Sequence, residues 1–372
     1  MPRYKTCVYA ISKNEEQFVE RWMDAVEEAD LVVVADTGST DRTVEKLRRR
    51  GAIVYEAKIS PWRFDVARNT ALGHVPADVD ICVSNDLDEV FEPGWRQKLE
   101  AAWTPAYTRA RYLFVWSHNP DGTPNKQYHM EKIHRRHGFR WVRPVHEILE
   151  YSGADEDKTV WINGLLLHHY PDPSKPRSQY LSLLELSVKE NPQDDRAVFW
   201  LGREYMYYGK YNQCIETLRR YLSLPSAKWN EERSAAMRFI AHCYGQKGNV
   251  KEETAWLFRA IAECPEVREP YLSLAKTGYR QQAWPLVYAM VEKALSLTWR
   301  SESYLVEPES WGAAPYDYGA LSAYYLGLYQ KARNFAAKAC EINPSDERLK
   351  ANLILFEQKL KELQGKGISH GA

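Results

Sequence analysis

The residues that invite a chemical reading sit in the stretch ICVSNDLDEVFEPGW, residues 81–95. An apolar run stops at Asp86-Leu87-Asp88-Glu89, three carboxylates in four positions. So much negative charge at the end of a buried strand is unfavourable without a cation nearby. Alternating carboxylates at a strand end can share one divalent ion, with diphosphate oxygens filling other coordination positions. Mg2+ or Mn2+ suits such an oxygen-rich, open site better than zinc. Other readings stay open. An EF-hand loop fails, because Val90 and Phe91 stand where an oxygen ligand and a glycine belong. A glycosidase acid/base pair and a solvated acidic turn remain compatible with a bare D-x-D.

Three other stretches bear on the same edge. In DTGSTDRT (36–43), Ser39 or Thr40 caps a following helix, with Asp41 in its first turn, but capping leaves Asp36 unexplained. A carboxylate there can accept hydrogen bonds from a base N–H or a ribose hydroxyl. SKNEE (12–16) follows the first strand on that edge, and Arg68 in WRFDVARNTAL (62–72) sits on a helix where it can reach a phosphate.

The elements that must position these residues alternate. Strands are expected over 6–12, 31–36, 52–58 and 80–85, with helices over 14–29, 39–51 and 63–75. Such alternation implies a mostly parallel sheet with helices on both faces, binding ligands beyond the carboxyl ends of its strands. After residue 170 the period changes. Residues 171–179 form a Pro-rich linker, and 180–372 show only helical periodicity with internal repetition. Gly202, Tyr205, Gly209, Tyr211 and Tyr221 recur in register as Ala241, Tyr244, Gly248, Ala260 and Pro265. A third copy runs through Ala320, Gly327, Tyr329, Ala332, Ala339 and Pro344, and a degenerate copy is expected around Ala275. These are tetratricopeptide-like spacings. The fold class is therefore an α/β domain over 1–170 followed by an all-α repeat domain.

Bulk composition sets bounds. The chain has 372 residues, and 50 Lys+Arg balance 50 Asp+Glu, so no global field draws in nucleic acid or an acidic membrane. Six cysteines lack CxxC or zinc spacing, and no apolar run approaches the ~18 residues of a membrane span. A reducing, cytoplasmic setting without a membrane span is the expectation.

ISKNEE, VVVADTGSTDRTVE, FDVARNTAL and SNDLDEVFEPGW, in that order and spacing, resemble the family 2 inverting glycosyltransferases of GT-A fold over about residues 5–170. The resemblance implies a nucleotide-sugar donor, most simply a UDP-sugar. Asp36 would contact the base or ribose, Asp86 and Asp88 would surround a Mn2+ or Mg2+ diphosphate, Arg68 would touch the donor, and Ser12 and Asn14 would line the nucleotide pocket. RWVRPVHEILE (140–150) and GLLLHHYPDP (164–173) resemble the branch containing lipopolysaccharide-core glycosyltransferases. Inverting transfer needs a base for the acceptor and cationic help for the leaving group. Glu147 is the candidate base, with His146 and Glu89 as rivals. His168, or else His169, would complete the metal shell, the alternative being a hydrogen-bonded histidine pair that closes the domain. KIHRRHGFRWVR (132–143) is read as a basic, aromatic cluster for phosphate or an anionic acceptor, or else as a solvated loop beside the site.

A family 2 domain followed by repeats also resembles enzymes that glycosylate bacteriocin peptides. There the helical region serves dimerisation or acceptor handling. A peptide or protein acceptor comes first, then a saccharide or lipid-linked glycan, then hydroxylated nucleobases in DNA. A non-catalytic repeat scaffold with a relic donor domain is the reading of another class.

Overall fold

The computed structural model describes residues 4–172 and 179–365. The chain divides into two compact units: one runs to Asn191 and includes Glu302–Tyr304, and the other holds the remaining C-terminal residues. The linker expected at 171–179 lies largely outside the described residues.

In the first unit the elements run β1 (Thr6–Ser12), α1 (Val19–Ala25), β2 (Leu31–Asp36), α2 (Thr43–Arg49), β3 (Ile53–Glu56), α3 (Phe64–His74), β4 (Ile81–Ser84), β5 (Glu89–Phe91) and α4 (Trp95–Ala102). Then follow β6 (Arg109–His118), β7 (Pro124–Arg135), β8 (Phe139–Val142), β9 (Ile148–Tyr151), β10 (Thr159–His169) and α5 (Gln179–Glu190). Eight strands form one sheet in the order β3-β2-β1-β4-β7-β6-β10-β5, and β8 and β9 form a separate hairpin. The first four are parallel, whereas β7 runs antiparallel to both β4 and β6. Strand order reverses at β1, which pairs β2 on one side and β4 on the other. That switch point opens a crevice at the strand ends.

The parallel strands are apolar on both faces because helices cover both. Val8, Val34, Ile81 and Val83 pack with Trp22 and Leu47, while Cys7, Tyr9, Val33 and Cys82 pack with Ala71, Leu72 and Trp141. A buried polar chain ties β1, β7 and β8 together. Trp141 Nε1 donates to Tyr9 Oη at 2.9 Å, and Tyr9 Oη meets His134 Nε2 at 2.9 Å. His134 Nδ1 lies 2.8 Å from the Arg135 carbonyl, so Nδ1 carries the proton and Nε2 accepts from Tyr9. Burial pushes the His134 imidazolium down to about 3, which keeps this ring neutral.

Two helices are shorter than expected. Residues 14–18 precede α1 as a turn, because the backbone N–H groups of Asn14, Glu15 and Glu16 donate to Ser39, Thr43 and Asp41 side chains. Ser39 therefore does not cap α2. Arg42 holds the N-cap position, and Asp41 just before it accepts from Thr43 N at 3.0 Å.

The second unit contains only helices among its described regular elements: α6 (Asp195–Tyr207), α7 (Tyr211–Ser223), α8 (Asn230–Gln246), α9 (Val250–Glu263), α10 (Glu269–Arg280), α11 (Trp284–Ser296), a 3-10 turn (Pro308–Trp311), α12 (Ala314–Tyr325), α13 (Tyr329–Ile342) and α14 (Glu347–Gly365). The three repeats read from sequence are the pairs α6/α7, α8/α9 and α12/α13, and the degenerate copy is α10/α11. A Cβ at Gly202 would overlap Leu218, so a small residue there permits the close approach of α6 and α7. The turns within the three clear pairs use Gly209, Gly248 and Gly327 at φ 69°, 74° and 77°. Gln282 holds the same place between α10 and α11 at φ 54°. A side chain in the left-handed region costs about 1–2 kcal/mol that glycine avoids. Gln282→Gly is expected to stabilise the chain by about 0.5–1 kcal/mol in urea denaturation. Gly209→Gln should destabilise it by at least as much, and equal midpoints for all three proteins would contradict this account of the turn.

Candidate active site

The loops leaving β1 and β2 are stitched together beyond the sheet edge. Asp36 is buried and accepts at Oδ1 from the backbone N–H groups of Gly38 (3.1 Å) and Ser39 (2.8 Å). At Oδ2 it accepts from Ser12 Oγ (2.7 Å) and Ser39 Oγ (2.5 Å). An ionised carboxylate offers about four acceptor positions. Those of Asp36 are filled by its own turn, so contact with a base or ribose requires Ser12 or Ser39 to rotate away. Ser12 serves here as a holder of Asp36. Asn14, at φ 54°, accepts the Thr40 N–H at 2.8 Å and fixes the rim between the two loops.

The carboxylate turn after β4 has its cations within the protein. Arg68, buried on α3, donates from Nη1 and Nη2 to the two oxygens of Asp86 at 2.7 and 2.9 Å. Its Nε donates to Glu147 Oε1 at 2.5 Å, and its guanidinium lies 5.0 Å above the Trp141 ring. From β7, Lys132 Nζ donates to Asp86 Oδ2 at 3.2 Å and Glu89 Oε1 at 3.0 Å. Glu89 in turn accepts the Asp86 N–H at 2.9 Å, closing the turn on itself. Burial alone would raise the Asp86 carboxyl, but the charges of Arg68 and Lys132 prevail and hold it far below the carboxylate range. Burial raises Glu89, opposed by Lys132 and reinforced by Asp86 and Asp88. Lys132, penalised by burial, is held above the usual range by Asp86 and Glu89.

This arrangement bears on two expectations. Asp86, expected at a metal, has both oxygens taken by Arg68 and Lys132. Glu89 is 3% exposed and clamped by an ammonium and a backbone N–H, which leaves an acceptor no approach to it as a base. Asp88 points elsewhere. Its Oδ2 lies 3.4 Å from His169 Nε2, and its carbonyl accepts the Tyr170 N–H at 2.8 Å. The β5–β10 register sets this choice of histidine: His169 pairs with Glu89, and His168 with Val90. Neighbouring residues on a strand face opposite ways. His168 therefore turns from Asp88 and meets His118 Nε2 at 2.9 Å and Glu92 Oε1 at 3.2 Å. For His169, burial disfavours the imidazolium, but the hydrogen bond and charge of Asp88 outweigh it and the net shift is upward.

The donor set decides whether a divalent cation fits. Among the described residues no three His, Cys, Asp or Glu side chains are grouped to hold a metal. Asp88 and His169 offer two ligands. Two ligands at about 2.1 Å on adjacent octahedral positions stand about 3 Å apart, close to the 3.4 Å seen here. One carboxylate and one imidazole, with oxygen ligands elsewhere, fit Mn2+ better than Mg2+, for which imidazole is a poor ligand.

Beside Asp88 and His169 opens a cleft of about 460 Å3 lined by Phe18, Arg21, Trp116, His118, His169 and Tyr170. Its walls are stacked rings: Trp116 on His169 at 4.6 Å, His118 on Tyr170 at 4.9 Å, and the Arg21 guanidinium 4.5 Å above Tyr170. Glu147 is fixed through Arg68, and neighbouring His146, at φ 50°, faces Tyr180 edge-on at 6.0 Å.

Sequence reading missed Lys132, Trp116, His118, Arg21 and Tyr170. Lys132 lay inside the cluster read as an anion site, and that cluster is spent internally. Arg135 pairs with Asp155 at 2.6 Å, Arg140 with Glu150 at 2.5 Å, and Arg136 donates to the Val75 carbonyl at 2.8 Å. The available signal was Lys132 itself, a cation next to Ile133, a core residue of the same strand.

Residues 7–152 match the profile of glycosyl transferase family 2. The match runs from β1 through β9, taking in Arg68, Asp86, Asp88, Lys132 and Glu147 and stopping before His169. The first unit is thus similar to family 2 over most of its sheet-forming residues. No curated protein matches the chain. Among solved structures, the APC/C hetero-tetramer Cut9-Hcn1 aligns at 16% identity and TM-score 0.39, over 50% of this chain and 33% of its own. MamA aligns at 20% identity and TM-score 0.37, over 47% of this chain and 96% of its own. A thermophilic TPR protein in Thermus thermophilus aligns at 20% identity and TM-score 0.34, over 49% of this chain and 90% of its own. At those scores none bears on what the repeats bind.

Removing Lys132 while Glu89 stays ionised would leave a buried charge without its partner. Lys132→Met is expected to cost about 3–5 kcal/mol in chemical denaturation. Adding Glu89→Gln should restore at least half of that loss, whereas strictly additive single effects would contradict the pairing.

Proposed function

We propose that this chain is a metal-dependent inverting glycosyltransferase that moves a sugar from a nucleotide sugar, most simply a UDP-sugar, to a peptide or protein side chain. The observation that carries this reading is the split within the carboxylate turn. Asp86 and Glu89 are neutralised internally, and Asp88 is left with His169 at the mouth of a cleft. The family 2 match over the same residues supports glycosyl transfer.

Asp88 and His169 would hold the Mn2+ or Mg2+, which supplies counter-charge to the leaving diphosphate. Asp36, Ser12 and Asn14 shape the rim where the nucleotide lies. Arg68 fixes Glu147 through Oε1, and Oε2 would serve as the base. Glu147 then takes the proton from the acceptor as the acceptor atom bonds to the anomeric carbon and the bond to diphosphate breaks on the opposite face. His146 is the rival base. The helical repeats handle the acceptor or pair two copies of the chain. Six free cysteines suit a reducing, cytoplasmic compartment. Among the described residues no helix is long and apolar enough to cross a membrane.

A saccharide acceptor is the second reading, favoured by the cleft. Trp116 and Tyr170 are 42% and 39% exposed there, offering ring faces of the kind amphipathic ligands pack against. A DNA acceptor loses its electrostatic ground, since most of the basic cluster is paired within the protein.

A panel of nucleotide sugars assayed with and without Mn2+ tests the donor side. Asp88→Asn is expected to lower metal-dependent donor turnover by at least about 100-fold with the fold intact; undiminished turnover would sink the metal assignment. Glu147→Gln should lower kcat by about 10²–10⁴-fold while donor affinity is preserved. Loss of donor binding instead would move Glu147 to the donor site. A folded chain that binds donor and Mn2+ yet neither hydrolyses nor transfers it would favour the scaffold reading.

A further inference from the structure

The connection between α11 and α12 is 17 residues long (297–313), against six between α7 and α8 (224–229) and five between α9 and α10 (264–268). It lies across the first helices of two successive pairs. Arg238 on α8 pairs with Glu307 at 2.5 Å, and Lys276 on α10 pairs with Glu309 at 2.6 Å. Glu269 on α10 accepts the Glu307 backbone N–H at 3.2 Å and Trp311 Nε1 at 3.3 Å. The Arg268 guanidinium sits 3.9 Å above the Trp311 ring, and Ser301 Oγ donates to Glu231 on α8 at 2.8 Å. Along α8, Glu231, Ser234 and Arg238 recur at helical spacing, and on α10 Glu269 and Lys276 are seven apart, so each helix offers one stripe.

The contacts follow the logic of peptide recognition. Two acidic side chains, two residues apart, meet two cations. A carboxylate reads a backbone N–H, which any sequence would offer, and an aromatic residue fills the place under a guanidinium. The fit is also incomplete. Ser310 is 1% exposed, and its hydroxyl finds no partner among the described residues. The Lys276–Glu309 pair is 31% and 53% exposed, in the range where ion pairs contribute little. A segment with the same acidic and aromatic groups but better polar pairing would therefore compete for the place.

We propose that this face of α8 and α10 is a docking site for a partner protein's extended segment of Glu-x-Glu-x-Trp chemistry, and that residues 305–311 fill it in cis until displaced. The inference is independent of the chemistry proposed for the first unit.

The test replaces residues 305–311 with seven Gly and Ser residues, keeping the length of the connection. A fluorescein-labelled peptide of residues 304–313 should bind this variant saturably and bind the intact chain at least 10-fold more weakly. The same peptide with Glu307→Gln and Glu309→Gln should bind the variant at least 10-fold more weakly. No binding to a variant shown to be folded, equal binding to the intact chain, or equal binding of the Gln peptide overturns the proposal. If the replacement prevents folding, Glu307→Gln/Glu309→Gln in the full chain carries the test. Amide exchange over 305–311 should then rise at least 10-fold with α8 and α10 still protected, and unchanged exchange there overturns the proposal.

Discussion

Everything in the candidate site depends on the fork that Arg68 places on Asp86. Three carboxylates within four residues cannot sit at the end of a buried strand unless cations answer them. Arg68 and Lys132 give that answer from inside the protein, one from α3 and one from β7. Because Arg68 also grips Glu147, the same guanidinium ties α3, the turn after β4 and the loop before β9 into one unit. The planar, bidentate geometry explains why arginine holds this place, since a lysine would supply charge without direction.

Such a network adds little net stability, because the cost of desolvating each ion offsets most of the Coulomb attraction. Its product is geometry. With Asp86 and Glu89 held, the intervening backbone has one course, and Asp88 leaves it on the cleft side toward His169. The stitched loops after β1 and β2 do the same for Asp36. Its filled acceptor positions make it a post around which the rim is built. The rim of the candidate site is thus built by side chains whose polar groups are mostly taken up within the protein.

The sequence made the fold largely legible. Val-rich strands alternating with amphipathic helices specify β1 to β4, and repeated small residues with turn glycines specify the helix pairs. The faint repeat was faint for a definite reason: Gln282 occupies a left-handed position where the other pairs carry glycine, which removed the punctuation. Within the site, local motifs pointed to Arg68 as a donor contact, Asp88 as a metal ligand and Glu147 as a base, and the fold sets Arg68 between Asp86 and Glu147. Asp86 was assigned to a metal because nothing local shows that Lys132, 46 positions away, arrives on an antiparallel strand. The choice between His168 and His169 was hidden for a related reason. Adjacent strand residues face opposite sides, and only the β5–β10 register says which side Asp88 occupies. The aromatic cleft stayed unseen because Phe18, Trp116 and Tyr170 come from three separate segments.

The central claim is that Asp86 serves as the internal anchor while Asp88 and His169 face the ligand. It is tested most directly by an anomalous difference map at the manganese edge from crystals grown with Mn2+ and UDP. The account predicts a single strong peak within bonding distance of an Asp88 carboxylate oxygen and His169 Nε2, with Asp86 still on Arg68. A peak bonded to Asp86, with Arg68 displaced from it, would contradict the account.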